Sequence, residues 1–439
     1  MVLYIAVAGT TLALAALIAF PAVGVCLALL IRPIVDATWS QRAFGGFALT
    51  EIVGAAMPLA VLAFGVVRAS GPQRFGRIPL LNVWLLYAFS VLFFSVILTV
   101  NEGIEASANV VFRQLNAIAA YYLAQAFFRE EKGQVLFFRV LLVATLFPLG
   151  VGLYQLVSGY QWVHADTEGI TRYVGMYHDA FTVRYYMLQG LLSAIVLLAL
   201  RPGRVTLEKA LLVVFMLCAL VVMFRAYSKS AIATVAVWTL LWCVLRRKFA
   251  LLGVLVAAGV VVAGIYLPQV IEQVGQMFHK EIGAIAGSGD LNHTFAGRWY
   301  GWHELLGRWS ELSAFDQMFG SHTATGAHND YLMMLMHGGL FGLVVYIVLI
   351  VTVGWRLLRN ALARPDPLAL AGLMAIALWG IDAIGLVPST YPGYQWFVWS
   401  VIGISLRVRA DERRALREAR RKSPQQEAVP TESGAPSYG

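Results

Sequence analysis

His328 and Asn329 stand together in GSHTATGAHNDYLMMLMHGG, where a glycine-rich turn delivers them to the start of a long apolar run. An unperturbed imidazole titrates near pH 6.5, so a histidine at such a boundary is suited to take a proton from a hydroxyl at neutral pH. His337 lies deeper in the same run and reads as a hydrogen-bonded packing histidine. Arg172 and His178 fall in TRYVGMYHDAF, and Arg298 falls in FAGRWYGWHELL. A guanidinium fork grips phosphate oxygens bidentately and keeps its charge, although Asp166, Glu168, Glu304 or Asp316 would serve as ordinary salt-bridge partners for these arginines. Arg225 and Lys229, in FRAYSKSA, are one helical turn apart and on a helix would share a face. Two cations without a neighbouring acid need an anion from elsewhere, either a bound phosphate or Glu102, Glu105 or Asp179 from other loops. Trp299, Trp302 and Trp309 lie among polar residues nearby, where they suit either a pyranose face or the membrane interface.

These groups must be positioned by a membrane body. Of 439 residues, 59% are hydrophobic and 13% charged, against roughly 25% charged in soluble domains. Apolar runs long enough for a hydrocarbon core of about 30 Å recur along the chain and predict an all-α polytopic membrane protein with about twelve transmembrane helices. Residues 1–267 hold nine spans, the first a single retained helix over 3–31. Residues 268–330 form one large extracytoplasmic loop, and residues 331–406 hold three further spans. Residues 407–439 form a tail that is basic and solvated or headgroup-touching to Lys422, then disordered. About two-thirds of the 33 Lys and Arg fall in the tail and in the loops around Arg68, Arg129, Arg201, Arg246 and Arg356, which predicts both termini in the cytoplasm and the long loop outside. The net charge of +9 thus expresses topology, not a nucleic-acid face, because the basic residues punctuate apolar segments. Cys26, Cys218 and Cys243 each lie within an apolar run and read as packing residues. The outer segments contain neither a D-x-D string nor H-E-x-x-H spacing, so no metal and no other cofactor is expected.

The segment 296–350 resembles the signature region of the O-antigen ligase and polysaccharide polymerase superfamily of integral membrane glycosyltransferases. AHNDYL followed by GGLFGL, preceded by GRWYGWHELL and FGSHTATG, carries the likeness. Gly297, Arg298, Trp302, His328 and Asn329 match the family's G-R-x-x-x-W and H-N elements, and Arg172 and Gly175 match an R-x-x-G pattern before a span. The chain departs from the family at Ser228 and Lys229, where a Ser-Arg pair is common, and Arg225 stands one turn earlier. Either Lys229 takes the phosphate-binding role as a point charge or Arg225 does.

The resemblance implies a GT-C-like enzyme of the cytoplasmic (inner) membrane that moves a glycan from a polyprenyl diphosphate carrier to a sugar hydroxyl on the outer face, without metal and with inversion. His328 is then the general base and Arg298 the second catalytic candidate. Arg225, Lys229 and Arg172 hold the diphosphate, while Asn329, His178 and Trp302 contact the sugars. The likeness leans toward a polymerase of exopolysaccharide or O-antigen, with a ligase attaching the chain to a lipid A core or protein as the alternative. A transporter or flippase is the third reading, and it would carry repeat symmetry and midplane ionisable groups. Expected partners are the carrier-linked oligosaccharide, membrane lipid and a chain-length regulator, and no nucleic acid.

Overall fold

The computed structural model describes residues 1–44, 47–69, 78–164, 166–167, 170–200, 206–265, 272, 275, 278, 281–288, 297–320, 322 and 327–426. Among them helices dominate. Two short antiparallel ladders, β1 (Arg42–Phe44) with β2 (Phe47–Ala48) and β3 (Asp166–Thr167) with β4 (Ile170–Thr171), lie between helices. Arg74, Arg77, Arg201 and Arg204 and the tail after Gln426, all part of the sequence-based topology, lie outside the described residues.

The expected single first span is two helices. Phe20 leaves helical geometry (φ −133°, ψ 77°), which ends α1 (Val2–Ala19), and Pro21 opens α2 (Pro21–Asp36) in its first turn. Proline lacks the N–H that would continue the first helix, yet its fixed φ suits the start of a second. The helices form an antiparallel hairpin, Gly9 packing on Ile31 and Gly24 on the Leu17 backbone. The hairpin returns Met1 to the end of the bundle that holds Asp36.

Then follow α3 (Leu49–Ala69), α4 (Leu81–Glu102), α5 (Ile104–Phe127), α6 (Glu131–Ser158), α7 (Ala180–Leu200), α8 (Leu207–Arg225), α9 (Lys229–Leu245) and α10 (Phe249–Ile265). The segment predicted as a long loop contains α11 (Arg298–Glu311) and α12 (Ala314–Phe319), and α13 (Asp330–Ala363), α14 (Pro367–Gly385) and α15 (Pro392–Gln426) close the chain. Seven described helices, α1, α4, α6, α7, α8, α13 and α14, are long and apolar enough to cross a membrane, and α3, α9 and α10 contain shorter apolar stretches. The chain is an all-α polytopic membrane protein.

Burial ranks these helices. In α7 and α14, 78% and 72% of the apolar window is enclosed, against 22% in α1, so α7 and α14 form the centre and α1 lies at the margin. Trp84, Tyr121, Trp379, Tyr394, Trp396 and Trp399 fill the interior between them. The polar atoms of Tyr121, Trp379, Tyr394 and Trp396 find internal partners, as hydrocarbon surroundings demand, whereas Trp84 Nε1 and Trp399 Nε1 have none among the described residues. Trp396 Nε1 donates to Asn116 Oδ1 at 2.8 Å and Trp379 Nε1 to the Tyr346 hydroxyl at 2.8 Å, which in turn donates to Asp330 at 2.5 Å.

Two features fix the outer helices and the tail. Gly339 adopts φ 60°, ψ −162° and kinks α13. A Cβ there would overlap the Met318 backbone, and one on Gly320 would overlap the His337 carbonyl, so glycine alone lets α12 lie directly on α13. At the other end, α15 does not stop where its apolar part ends. Arg409 reaches Asp366, Glu412 and the Arg364 carbonyl, and Arg407 pairs with Asp411 at 3.0 Å. With 5% and 8% exposure, Arg407 and Arg409 are structural anchors and not the solvated surface expected of the tail.

Candidate functional site

The predicted residues gather at the end of the bundle where α2 and α14 finish and α7, α13 and α15 begin. Gly297, in the left-handed region at φ 78°, turns the chain into α11 and sets Arg298 at its first position. The Arg298 Nη1 approaches the end of α14, 3.1 Å from where a Cβ on Gly385 would stand. Burial makes this guanidinium less basic than usual, and the neighbouring charges of Arg172 and Arg184 push the same way. Of the carboxylates that could have neutralised it, Glu304 faces Arg308 at 3.8 Å and Asp316 takes the Ser313 hydroxyl at 2.7 Å. Among the described residues Arg298 makes no ion pair.

His328 takes φ 41°, a left-handed conformation uncommon outside glycine. Asn329 holds it there: Oδ1 caps α13 by accepting from the Tyr331 and Leu332 amides at 3.0 and 3.1 Å, and Nδ2 donates to the Ile384 carbonyl at 3.0 Å. Trp302 Nε1 donates to the Ala327 carbonyl at 3.0 Å. Asn329 and Trp302, expected to contact sugars, thus use these polar groups to place His328. Burial lowers the basicity of that imidazole, Arg298 lowers it further, and Asp179 opposes both. It therefore stays neutral, and able to accept a proton, below the usual histidine range.

Asp179 connects two parts of the site. It accepts from the Thr182 amide and hydroxyl at 2.9 and 2.8 Å and from the Tyr391 hydroxyl at 2.8 Å. Burial works to raise its carboxyl, but the contacts from His178, Thr182 and Tyr391 prevail and hold it below the ordinary range. The Asp179 contact in turn raises the His178 imidazole against its partial burial. At 3.7 Å from His178 Nδ1 to the carboxylate, this is a charge contact longer than a hydrogen bond. His178 stands edge-on to Trp39, ring centroids 4.6 Å apart, and lines a cavity of about 1090 Å³ together with Thr182, Tyr185 and Tyr391.

The Arg225 and Lys229 turn divides. Tyr227 at φ 49° separates the end of α8 from the start of α9, so the two cations do not share a helical face. Arg225 donates to the Tyr173 hydroxyl at 3.0 Å and lies over that ring at 4.7 Å, while the Tyr173 amide donates to the Arg225 carbonyl. This ties Arg225 to the residue after Arg172. Lys229 instead pairs with Glu281 at 2.7 Å and lies over Phe278. That counterion comes from the long outer segment and not from the three acids nearer in the expected layout.

The sequence reading assigned Arg184 no role. It is fully buried, bonds Asp382 Oδ1 at 2.7 Å, touches the Ser230 hydroxyl and lies over Phe181. Asp382 also accepts from Tyr394 at 2.8 Å. Arg184 Nε and Nη2 have no hydrogen-bond partner among the described residues. The available signal was its place in TVRYYMLQGLL, where a cation among apolar neighbours implies a buried partner.

Arg298, Arg172 and Arg184 with His328 form an electropositive site able to hold a polyanion and to accept a proton beside it. Among the described residues no group of three His, Cys, Asp or Glu side chains is arranged to hold a metal ion, and Cys26, Cys218 and Cys243 are free thiols. No family model and no curated protein sequence matches the chain.

Proposed function

We propose that this protein is an integral membrane glycosyltransferase of surface polysaccharide assembly, of the O-antigen ligase and polysaccharide polymerase kind. It transfers a glycan from a polyprenyl diphosphate carrier to a sugar hydroxyl at the outer face of the cytoplasmic membrane, as a polymerase. The observation that supports this reading is the grouping of Arg172, Arg184 and His328 about Arg298. As the anomeric bond breaks, charge grows on the departing diphosphate, and fixed cations that need no reorganisation stabilise it. His328, kept neutral by burial and by Arg298, takes the proton from the attacking hydroxyl. Inversion follows from one direct displacement.

In this reading α1 to α10 and α13 to α15 cross the membrane, about thirteen spans where the sequence predicts about twelve, because a hairpin of two helices replaces the first span. The outer side is the end that carries α11 and α12. Arg184 and Arg225 support the diphosphate site, the first at its floor and the second by fixing the Tyr173 segment, while Lys229 is held by Glu281.

The test uses purified full-length protein with a lipid-linked oligosaccharide, reading carrier-linked donor lost and glycosidic bonds formed. Arg298→Ala and His328→Ala are each expected to lower the rate by about 10²–10³-fold while elution and thermal unfolding stay unchanged. Retained activity in both variants would sink the assignment, and translocation without bond formation would indicate a transporter. Growth of carrier-linked chains separates a polymerase from a ligase, which would release the carrier from finished chains.

A further inference from the structure

The chain between α11 and α13 is amphipathic over a short distance. In α12, Phe315, Met318 and Phe319 fall at i, i+3 and i+4 and share one face, and Phe315 and Met318 are 57% and 44% exposed. The polar residues serve the backbone. Gln317 Nε2 donates to the carbonyls of Ser310 and Leu312 at 3.0 Å each, and the Ser313 hydroxyl accepts from the Asp316 amide at 3.2 Å. Carbonyls left open at the end of α11 and an amide left open at the start of α12 are thereby bonded within the segment. A backbone satisfied in this way can leave water.

The depth of α12 follows from the rings it meets. Phe319 stands 5.5 Å from Phe93 of α4 and 6.2 Å from Phe341 of α13, centroid to centroid. Phe93 is nine residues before Glu102, the last residue of α4, which places it about 13 Å below that end at 1.5 Å per residue. The chain descends to this level at α12 and then returns, since His322 lies 3.7 Å from the Glu102 carboxylate. Phe93 also stacks on Phe89 at 6.0 Å, and Phe315 meets Phe319 at 5.1 Å. One run of rings therefore joins α12 to the face of α4 that carries Phe89, Leu92 and Val96, each more than half exposed. Protein encloses only 39% of the apolar window of α4, so in a membrane that face meets acyl chains.

We propose that α12 is a re-entrant anchor, with Phe315, Met318 and Phe319 inserted among the acyl chains of the leaflet at the site end of the bundle. The partner of this surface is the bilayer. A level about 13 Å below the end of α4 lies within the half-thickness of a hydrocarbon core of about 30 Å. The apolar face of α12 also continues that of a helix long and apolar enough to cross the membrane. Glycine makes the close seating possible, because a Cβ on Gly339 would overlap the Met318 backbone. Only Leu312 and Ser313 separate α12 from α11, so the anchor also fixes the far end of the helix that starts with Arg298. This anchoring depends on the membrane body alone and holds whatever the site transfers.

The test is electron paramagnetic resonance of nitroxide labels on full-length protein in phosphatidylethanolamine and phosphatidylglycerol liposomes, in a background carrying Cys26→Ala, Cys218→Ala and Cys243→Ala. Labels at Phe315→Cys and Met318→Cys are expected to meet oxygen several-fold more than a water-soluble nickel chelate, as at Leu92→Cys on the exposed face of α4. Glu304→Cys, on the exposed face of α11, should show the reverse. Unchanged thermal unfolding shows that the variants fold. The unsubstituted chain gives an independent reading: a carbene precursor dissolved in the acyl region should label Phe315–Phe319 as it labels α4. Three results overturn the proposal: nickel access at both α12 positions equal to that at Glu304, exclusion of both reagents as under a protein cover, or carbene labelling of α4 without α12.

Discussion

The two ends of the helix bundle treat arginine in opposite ways. At the end where α15 finishes, Arg407 and Arg129 share Asp411, Arg409 bonds Asp366 and Glu412, and Arg413 donates to Asn360. Several of these acids come from the same helix one turn away or from the short connection before α14. At the other end Arg298 lies close to Arg172 and Arg184 and has no ion pair among the described residues. Clustered like charges cost folding energy and persist where function needs an unfilled anion site. The contrast sets arginines that hold the fold against Arg298, which on the glycan-transfer proposal would meet the diphosphate.

Arg184 tests the boundary between these classes most severely, because it does both. Replacing it with Met leaves Asp382 buried without its ion partner, and a loss of about 3–5 kcal/mol in stability is expected. The double variant Arg184→Met/Asp382→Asn should recover much of that loss in thermal unfolding yet remain slow in glycan transfer. Recovery of both would make Arg184 purely structural and move it to the first class.

A smaller effect sharpens the chemistry of the ligand end. A general base works while neutral, so a depressed pKa extends activity toward lower pH. Asp179 opposes the depression of His328; Asp179→Asn removes that opposition, and the acid limb of kcat/KM should move to lower pH. A limb that moves upward or stays in place would show that another group accepts the proton.

The least change is expected at the opposite end. Arg409→Met removes a largely buried pair with Asp366, but neighbouring acids stay hydrated at the membrane surface, so a stability loss of about 1 kcal/mol with unchanged transfer rate is expected. A rate loss there comparable to that of Arg298→Ala would erase the distinction between the two ends.

Much of this arrangement was legible in advance because it is local. Long apolar runs announced the helices, and AHNDYL placed His328 at the start of one, whereas Arg298 was expected in a loop and stands at the start of α11. The Phe20–Pro21 break was missed because apolar character continues through it, and hydropathy does not register a backbone turn. The cap made by Asn329 and the carbonyl contact of Trp302 were not foreseen because they depend on which backbone atoms come within reach. The partner of Lys229 was missed because what brings Glu281 to it is the folding of the segment before α11, which residue spacing does not encode.

Sequence alone determined that the chain lives in a membrane, where its polar residues interrupt the apolar runs, and that His328 stands where a long apolar run begins, because composition and spacing act over a few residues. Tertiary structure alone decided which cations face one another, that Arg184 joins them from within a helix, and that a cavity lined by His178, Thr182 and Tyr391 opens beside Asp179. Those outcomes depend on the packing of α2, α3, α5, α7, α14 and α15, and on distances between atoms that the linear order of residues does not contain.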